Sequence, residues 1–384
     1  MKVAVPAMKS KTNAEKIADA VLYEGYILYP YRASAVKNQQ RWNFGALCPK
    51  SYAKAQRGTE TSTMQTQCLV VGNSDAKLQV KVRFLHLLLR EVAEISECQL
   101  PLSECGHLQA GFPGRHFRLT PLLEVNGELW QTWQEAVERE VVIPDFVIAN
   151  LHSGKKTVEF NFPASKVTEF LIDEQSGKTS GLISRTQEAI KGVVEISSSR
   201  VEVSNDSIVT IQQSAIGNRQ SFRLTVNIRN LIDLPAGDRK TRDEALMQSF
   251  VSTHTILSIK DGEFVSLLEY PERYQEAVTS CTNIGTYPVL VGEEGQRDCM
   301  LSSPIILYDY PEIAPESAGD LFDGTEIDEI LTLRIMSLSD EEKREMRSVD
   351  ARARQLLDRS ESLSAEQFMR LHGVMKGVNR KPDE

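Results

Sequence analysis

Phe222-Arg223-Leu224-Thr225-Val226-Asn227-Ile228-Arg229 alternates apolar and polar side chains without a break. Successive side chains of a β-strand point to opposite faces, so this pattern describes a strand with one face in a core and one in water. Half-solvated strands of this kind belong to antiparallel sheets. Leu78, Val80, Val82 and Phe84 alternate with Gln79, Lys81 and Arg83 in the same way. Further strands are expected at Met64–Val71, Val158–Phe162, Val193–Ser197, Arg200–Val203, Ile208–Gln212, His254–Ile259, Glu263–Leu267, Tyr287–Val291 and Ser303–Leu307. Asn126-Gly127 sits between Phe117–Val125 and Leu129–Trp133. That dipeptide marks a tight hairpin, because both central residues of a type I′ turn take positive φ.

Helical signals flank this series. Thr12 and Glu15 have capping-box spacing, and Ala14, Ile17, Ala18 and Val21 follow on one face. A helix is expected at about 241–250, and residues 32–60 look polar and loop-like. In the C-terminal part, Thr325 caps one expected helix, while Ser339 with Glu342 and Ser364 with Gln367 form two capping boxes. The expected fold is mainly β (α+β): an antiparallel β-sandwich or partly closed barrel body with a short N-terminal helix and a C-terminal helical tail. The expected divisions are a basic aromatic arm at 1–60, the β body at 61–315 and an acidic helical tail at 316–384.

The charge distribution supports these divisions. The 384 residues sum to a net charge of −9, with +6 in residues 1–60 and −5 in residues 316–384. An overall acidic chain is a poor general coat for nucleic acid. The longest strongly apolar run, Phe84 to Leu89, is far too short for a membrane span, and lysines interrupt the N-terminus where a signal peptide would need an apolar stretch. A cytoplasmic protein is expected. The six cysteines form no C-x-x-C pair and are expected as free thiols. Cys98, Cys105 and His107 are spaced too widely for a tight metal knuckle.

Few catalytic signatures survive inspection. Gly177-Lys178-Thr179 resembles the end of a phosphate loop, but Ile172 stands where the earlier glycine is required. No nucleophile elbow, zinc-protease motif or dinucleotide fingerprint occurs. Cys68 and His254 are conceivable partners in a nucleophile pair, if the fold brings them together. No cofactor or metal is expected.

The most unusual stretch is residues 25–59. It contains no Asp or Glu and six cations, namely Arg32, Lys37, Arg41, Lys50, Lys54 and Arg57. Tyr29, Tyr31, Trp42, Phe44 and Tyr52 are interleaved with them. Arginine and aromatic side chains are typical anchors of protein interfaces, and they also suit phosphates or stacked bases. Three readings stay open: docking on the chain's own acidic body, binding of a partner protein, or binding of nucleic acid or a small anion. Tyr31, Arg32, Lys37, Arg41 and Trp42 are the candidate partner-binding residues.

Several stretches together resemble a known family. They are Tyr29-Pro30-Tyr31-Arg32-Ala33-Ser34-Ala35-Val36-Lys37-Asn38-Gln39, Arg41-Trp42-Asn43-Phe44-Gly45, Met64-Gln65-Thr66-Gln67-Cys68-Leu69-Val70 and Ser252-Thr253-His254-Thr255-Ile256-Leu257. The similarity extends to Glu263–Leu268 and to Ser303–Pro311 and Asp320–Glu329. Over about residues 25–350 the chain resembles an uncharacterised bacterial family encoded beside oxygen-tolerant, high-affinity nickel–iron hydrogenases. That resemblance implies a setting in hydrogen metabolism and supplies no catalytic residues. The expectation is a non-catalytic accessory or assembly protein that binds a hydrogenase subunit or its maturation machinery. The alternatives are an enzyme with an unrecognised Cys/His or metal site, and an anion or nucleic-acid binding module through residues 29–57.

Overall fold

The computed structural model describes residues 13–23, 42–96, 116–151, 154–203, 219–235, 239–312, 335, 337–349 and 351–362. Its centre is one strand, β1 (Thr63–Ser96), 34 residues long. The expected strands Met64–Val71 and Leu78–Phe84 are both parts of it. The polar residues between them make only a register shift, between Gly72 and Lys77, opposite Gly262 and Lys260.

The other strands are β2 (His116–Thr120), β3 (Leu122–Val125), β4 (Glu128–Gln131), β5 (Trp133–Val147), β6 (Lys156–Phe162), β7 (Ser165–Ile172) and β8 (Thr179–Gln187). They continue with β9 (Ile190–Val201), β10 (Gln220–Asn230), β11 (Val251–Val265), β12 (Tyr287–Leu290) and β13 (Cys299–Ser303). Ten of them join β1 in one eleven-stranded sheet, which runs β12-β13-β11-β1-β10-β9-β6, with β2, β5 and β8 also on β1 and β7 on β8. The sheet is antiparallel and curls into a half-barrel, so the partly closed barrel is the form realised.

Register shows how one strand serves five neighbours. Leu69–Gly72 pair with both β10 and β11, Lys77–Leu85 with β11 and β5, and Val92–Glu94 with β8 and β2. One edge of β1 therefore carries β11 and then β8, and the other carries β10, β5 and β2 in turn. The expected pairs Val193–Ser197 with Arg200–Val203, and His254–Ile259 with Glu263–Leu267, are likewise single strands, β9 and β11. The expected strand at Ser303–Leu307 lies earlier, as β13. Ile208–Gln212 lies outside the described residues. Asn126 and Gly127 both have positive φ, at 56° and 77°, and close the β3–β4 hairpin as the dipeptide requires.

Phe222, Leu224, Val226 and Ile228 of β10 are fully buried, as their alternation predicts. They meet Leu78, Val80, Val82 and Phe84 of β1 and Ile190, Val194 and Ile196 of β9 in the main core. The apolar run at Phe84–Leu88 is explained by cover on both sides. Phe84 faces this core, while Leu85 and Leu87 face a second one formed with Trp42, Tyr52, Leu234 and Leu246.

Helices make that cover. α1 (Asn13–Tyr23) packs Ala14, Ile17, Ala18 and Val21 on Ile256, Val289, Val291 and Leu301. α2 (Lys50–Ala55) replaces part of the expected loop at 32–60, and α3 (Arg242–Leu246) falls in the expected helix. α4 (Gln275–Thr279) follows β11. The first helix docks with its acids. Asp19 meets Arg83 at 2.6 Å and Glu15 meets Lys81 at 3.2 Å. The same two cations reach Glu138 and Glu140 of β5 at 3.3 and 3.5 Å. Part of the basic arm is thus held to the body by its few carboxylates.

The tail helices α5 (Asp340–Val349) and α6 (Ala351–Ser362) form a hairpin. The capping box at Ser339 and Glu342 is present: Glu342 N–H donates to Ser339 Oγ, and Ser339 N–H to Glu342 Oε2. The other two expected tail caps lie outside the described residues. Buried Arg90 of β1 fixes the hairpin. Its Nη2 donates to the Ser348 carbonyl at 2.7 Å, near the end of α5, while Nε and Nη1 bond Gln131 O and Glu135 Oε1. A cation is favoured at a helix C-terminus. Arg90→Met keeps an unbranched apolar stem and removes these three bonds. Trypsin is then expected to cut within 340–362 much sooner than in the unaltered chain, with the β body still resistant; unchanged digestion would contradict the tether.

Among the described residues no helix is long and apolar enough to cross a membrane, which leaves membrane crossing by strands unaddressed.

Candidate functional site

Of the five candidate partner-binding residues, only Trp42 lies within the described residues; Tyr31, Arg32, Lys37 and Arg41 lie outside them. Trp42 is 4% exposed, at φ 64°, with its ring among Leu22, Tyr52, Leu85 and Leu246. Its indole N–H donates to Gln134 Oε1 at 2.7 Å. Its carbonyl accepts from Arg242 Nη2 at 2.9 Å, and Arg242 Nε in turn bonds Glu60. At this position the arm is engaged with its own chain.

The residues after Trp42 run beside the start of β11. Ser252 N–H donates to Phe44 O, Thr253 N–H to Gly45 O, and Leu47 and Phe250 exchange both backbone bonds. Gly45 has φ 55°, and a Cβ there would sit 2.7 Å from Pro304 Cγ and 2.9 Å from Thr253 N. Both the backbone angle and the close approach exclude a side chain. Gly45→Ala is expected to cost about 1–3 kcal/mol in a urea melt; an unchanged midpoint would show that this strip is not held against β11.

Cys68 and His254 do not meet. Leu69, next to Cys68, pairs with Val265, while His254 pairs with Arg83. Val265 and His254 lie at opposite ends of β11, separated by roughly 35 Å of strand path at the usual rise. Each is fully buried. The Cys68 thiol is pushed far above its ordinary range by burial, then by Cys281 nearby. Burial likewise raises Cys48 and Cys299, each to about 11. A nucleophilic cysteine needs the opposite shift, toward the thiolate. Burial, together with the positive charge of Arg83, lowers His254 to about 4. His254 Nδ1–H donates to Ser252 O at 3.0 Å, and its Nε2 is buried without a hydrogen-bond partner. His86 is similar: Nε2–H donates to Glu188 O at 2.9 Å, and burial, with Arg139 beside it, lowers the ring to about 4.

Cys48, Cys68, Cys281 and Cys299 are free thiols. Cys98, Cys105 and His107 lie outside the described residues. Among the described residues no group of three or more His, Cys, Asp or Glu side chains is placed to hold a metal ion. Gly177-Lys178 closes the turn between β7 and β8, with Gly177 at φ 63° and its N–H on Asp173 O. It is a hairpin turn and does not precede a helix.

One cavity gathers part of the cationic stretch. It has a volume of about 550 Å³ and is lined by Lys50, Ser51 and Lys54 of α2, Ser62 and Thr63 at the start of β1, and residues 229–233 at the end of β10. Asn230 builds its wall. The Asn230 amide donates to Leu47 O and Gln248 O, its Oδ1 accepts from Ile232 N–H, and its backbone N–H bonds Ser62 O. Ser51 Oγ donates to Leu234 O. Arg229 Nη2 bonds Glu195 at 2.8 Å, while Arg229 Nε is shielded from solvent and has no hydrogen-bond partner. Lys50 and Lys54 are exposed and enter no ion pair among the described residues. The sequence signal for this site was the acid-free run containing Lys50 and Lys54. Arg229 comes from a strand far along the chain, so its arrival needed the β1–β10 register.

No protein-family model and no curated protein matches this chain. Among solved structures, the InvG secretin domain β-barrel from the Salmonella SPI-1 injectisome NC-base aligns with 50% of this chain and 68% of its own, at 9% identity and a TM-score of 0.09. A likeness that low carries no argument about fold or function.

Proposed function

We propose that this chain is a non-catalytic accessory or assembly protein, acting in the cytoplasm by binding another protein. The observation that carries the reading is the fate of four reactive side chains among the described residues. His86, His254, Cys48 and Cys68 are all built into the cores, and burial holds the imidazoles neutral and the thiols protonated. The body offers a broad scaffold and leaves large apolar side chains outside it. Ile306 and Tyr308 are 73% and 86% exposed, in a segment that joins the edge strand β12 through Tyr310 N–H to Leu290 O. Tyrosine beside an aliphatic side chain at a sheet edge suits a protein interface.

The basic arm, with Tyr31, Arg32, Lys37 and Arg41, is the second proposed contact, and Trp42 anchors its root. The resemblance stated above directs the choice of partner to a nickel–iron hydrogenase subunit or its maturation machinery. Deleting the gene is expected to lower hydrogenase activity or to leave a subunit incompletely processed. Normal activity and processing in the deletion strain would overturn this reading.

A further inference from the structure

We propose that the cavity between α2 and the end of β10 binds a small polyanion, phosphate- or carboxylate-bearing, through Lys50, Lys54 and Arg229. This goes beyond the partner-binding reading and does not rest on it. Three cations line the space against one carboxylate, Asp233. Lys50 and Lys54 stand four residues apart on α2, where like charges repel, and neither forms an ion pair among the described residues. An anion between them and Arg229 would relieve that repulsion.

Arg229 makes the case more specific. Its Nη2 is committed to Glu195, yet its Nε–H, shielded from solvent, lacks an acceptor. A donor sealed from solvent is equally sealed from a ligand, but the Arg229 side chain as a whole is 44% exposed, and the outer N–H groups of a guanidinium suit a charge-assisted bond to an anionic oxygen. Ser62 and Thr63 add hydroxyls beside these cations, and Leu231 and Ile232 give an apolar wall for the body of the ligand. The volume of about 550 Å³ lies in the range of small-molecule sites. A concave pocket on a chain of net charge −9 favours a small anion over a nucleic-acid strand.

The test is calorimetric titration of the full chain with inorganic pyrophosphate and, separately, citrate. Saturable one-site binding of either supports the proposal; pyrophosphate alone assigns phosphoryl groups, citrate alone carboxylates. Lys50→Ala/Lys54→Ala is expected to weaken that binding roughly tenfold or more. Lys166→Ala/Lys178→Ala removes the same charge from two exposed lysines elsewhere and is expected to leave it unchanged. A second measurement needs no variant: the bound anion should protect Lys54 from acylation, read by mass spectrometry. Absence of saturable binding by both probes, equal loss in both double variants, or no protection of Lys54 would overturn the proposal.

Discussion

Phe84→Ala is expected to lower the stability of the chain by about 3–5 kcal/mol, the range for truncating a fully buried aromatic ring. Phe84 projects from the middle of β1 into the main core, where its ring lies 4.8 Å from Phe250, 5.7 Å from Phe160 and 6.0 Å from Phe162. These rings come from β6 and from the residue before β11, so one side chain joins three distant parts of the sheet. The same cluster leaves no room for repair from the side. A Cβ on Gly192 would lie 2.3 Å from Phe160 and 2.7 Å from Phe250. Neighbouring rings that are packed this closely cannot collapse far into the space left behind, which places the cost at the upper end. Urea unfolding followed by far-ultraviolet circular dichroism measures it. A loss below about 1 kcal/mol would mean that the core is not closed around this ring.

The second large effect is on acid. His86 and His254 titrate at about 4 in the folded chain against 6.5 when exposed. Both are neutral in both states above 6.5, so their contribution is complete there. As pH falls below 6.5 the unfolded chain takes up protons that the folded chain refuses. Stability is therefore lost between about 6.5 and 4, by up to about 3 kcal/mol for each ring. Arg83 faces His254 with Asp19 partly compensating, and Arg139 faces His86, so the neighbouring cations strengthen the effect of burial. Urea midpoints at pH 7, 5.5 and 4.5 should fall steeply. His86→Gln and His254→Gln should each flatten that slope, whatever they do at pH 7. An unaltered slope in the double variant would assign the acid sensitivity to other groups.

The legible parts of this fold were those where local pattern and tertiary role agree. Phe222–Ile228 alternates because β10 has one face in the core, and Asn126-Gly127 turns because its backbone angles demand it. Ala14, Ile17, Ala18 and Val21 mark the face that α1 buries. Residues 133–147 hid their strand. Glu135, Ala136, Glu138, Arg139 and Glu140 are helix formers, and only pairing with the interior of β1 makes them β. The continuity of β1 was hidden too. Gly72-Asn73-Ser74-Asp75 has turn composition, but the facing strand accommodates the shift with Asp261 at φ 60° beside Gly262. The cationic cavity was half visible, as two lysines without carboxylates. Its arginine and its wall arrive through register, which no local pattern encodes.

The central proposal is that this chain acts by holding another protein. Tagged full-length chain, captured at native expression from its host growing on hydrogen and quantified by mass spectrometry, tests that most directly. The account predicts a hydrogenase subunit or maturation factor at near-equal molar amount, lost when Ile306 and Tyr308 are both changed to Asp or when Arg32, Lys37 and Arg41 are all changed to Ala. Recovery of the chain alone, or the same partner at the same yield from both variants, would contradict it.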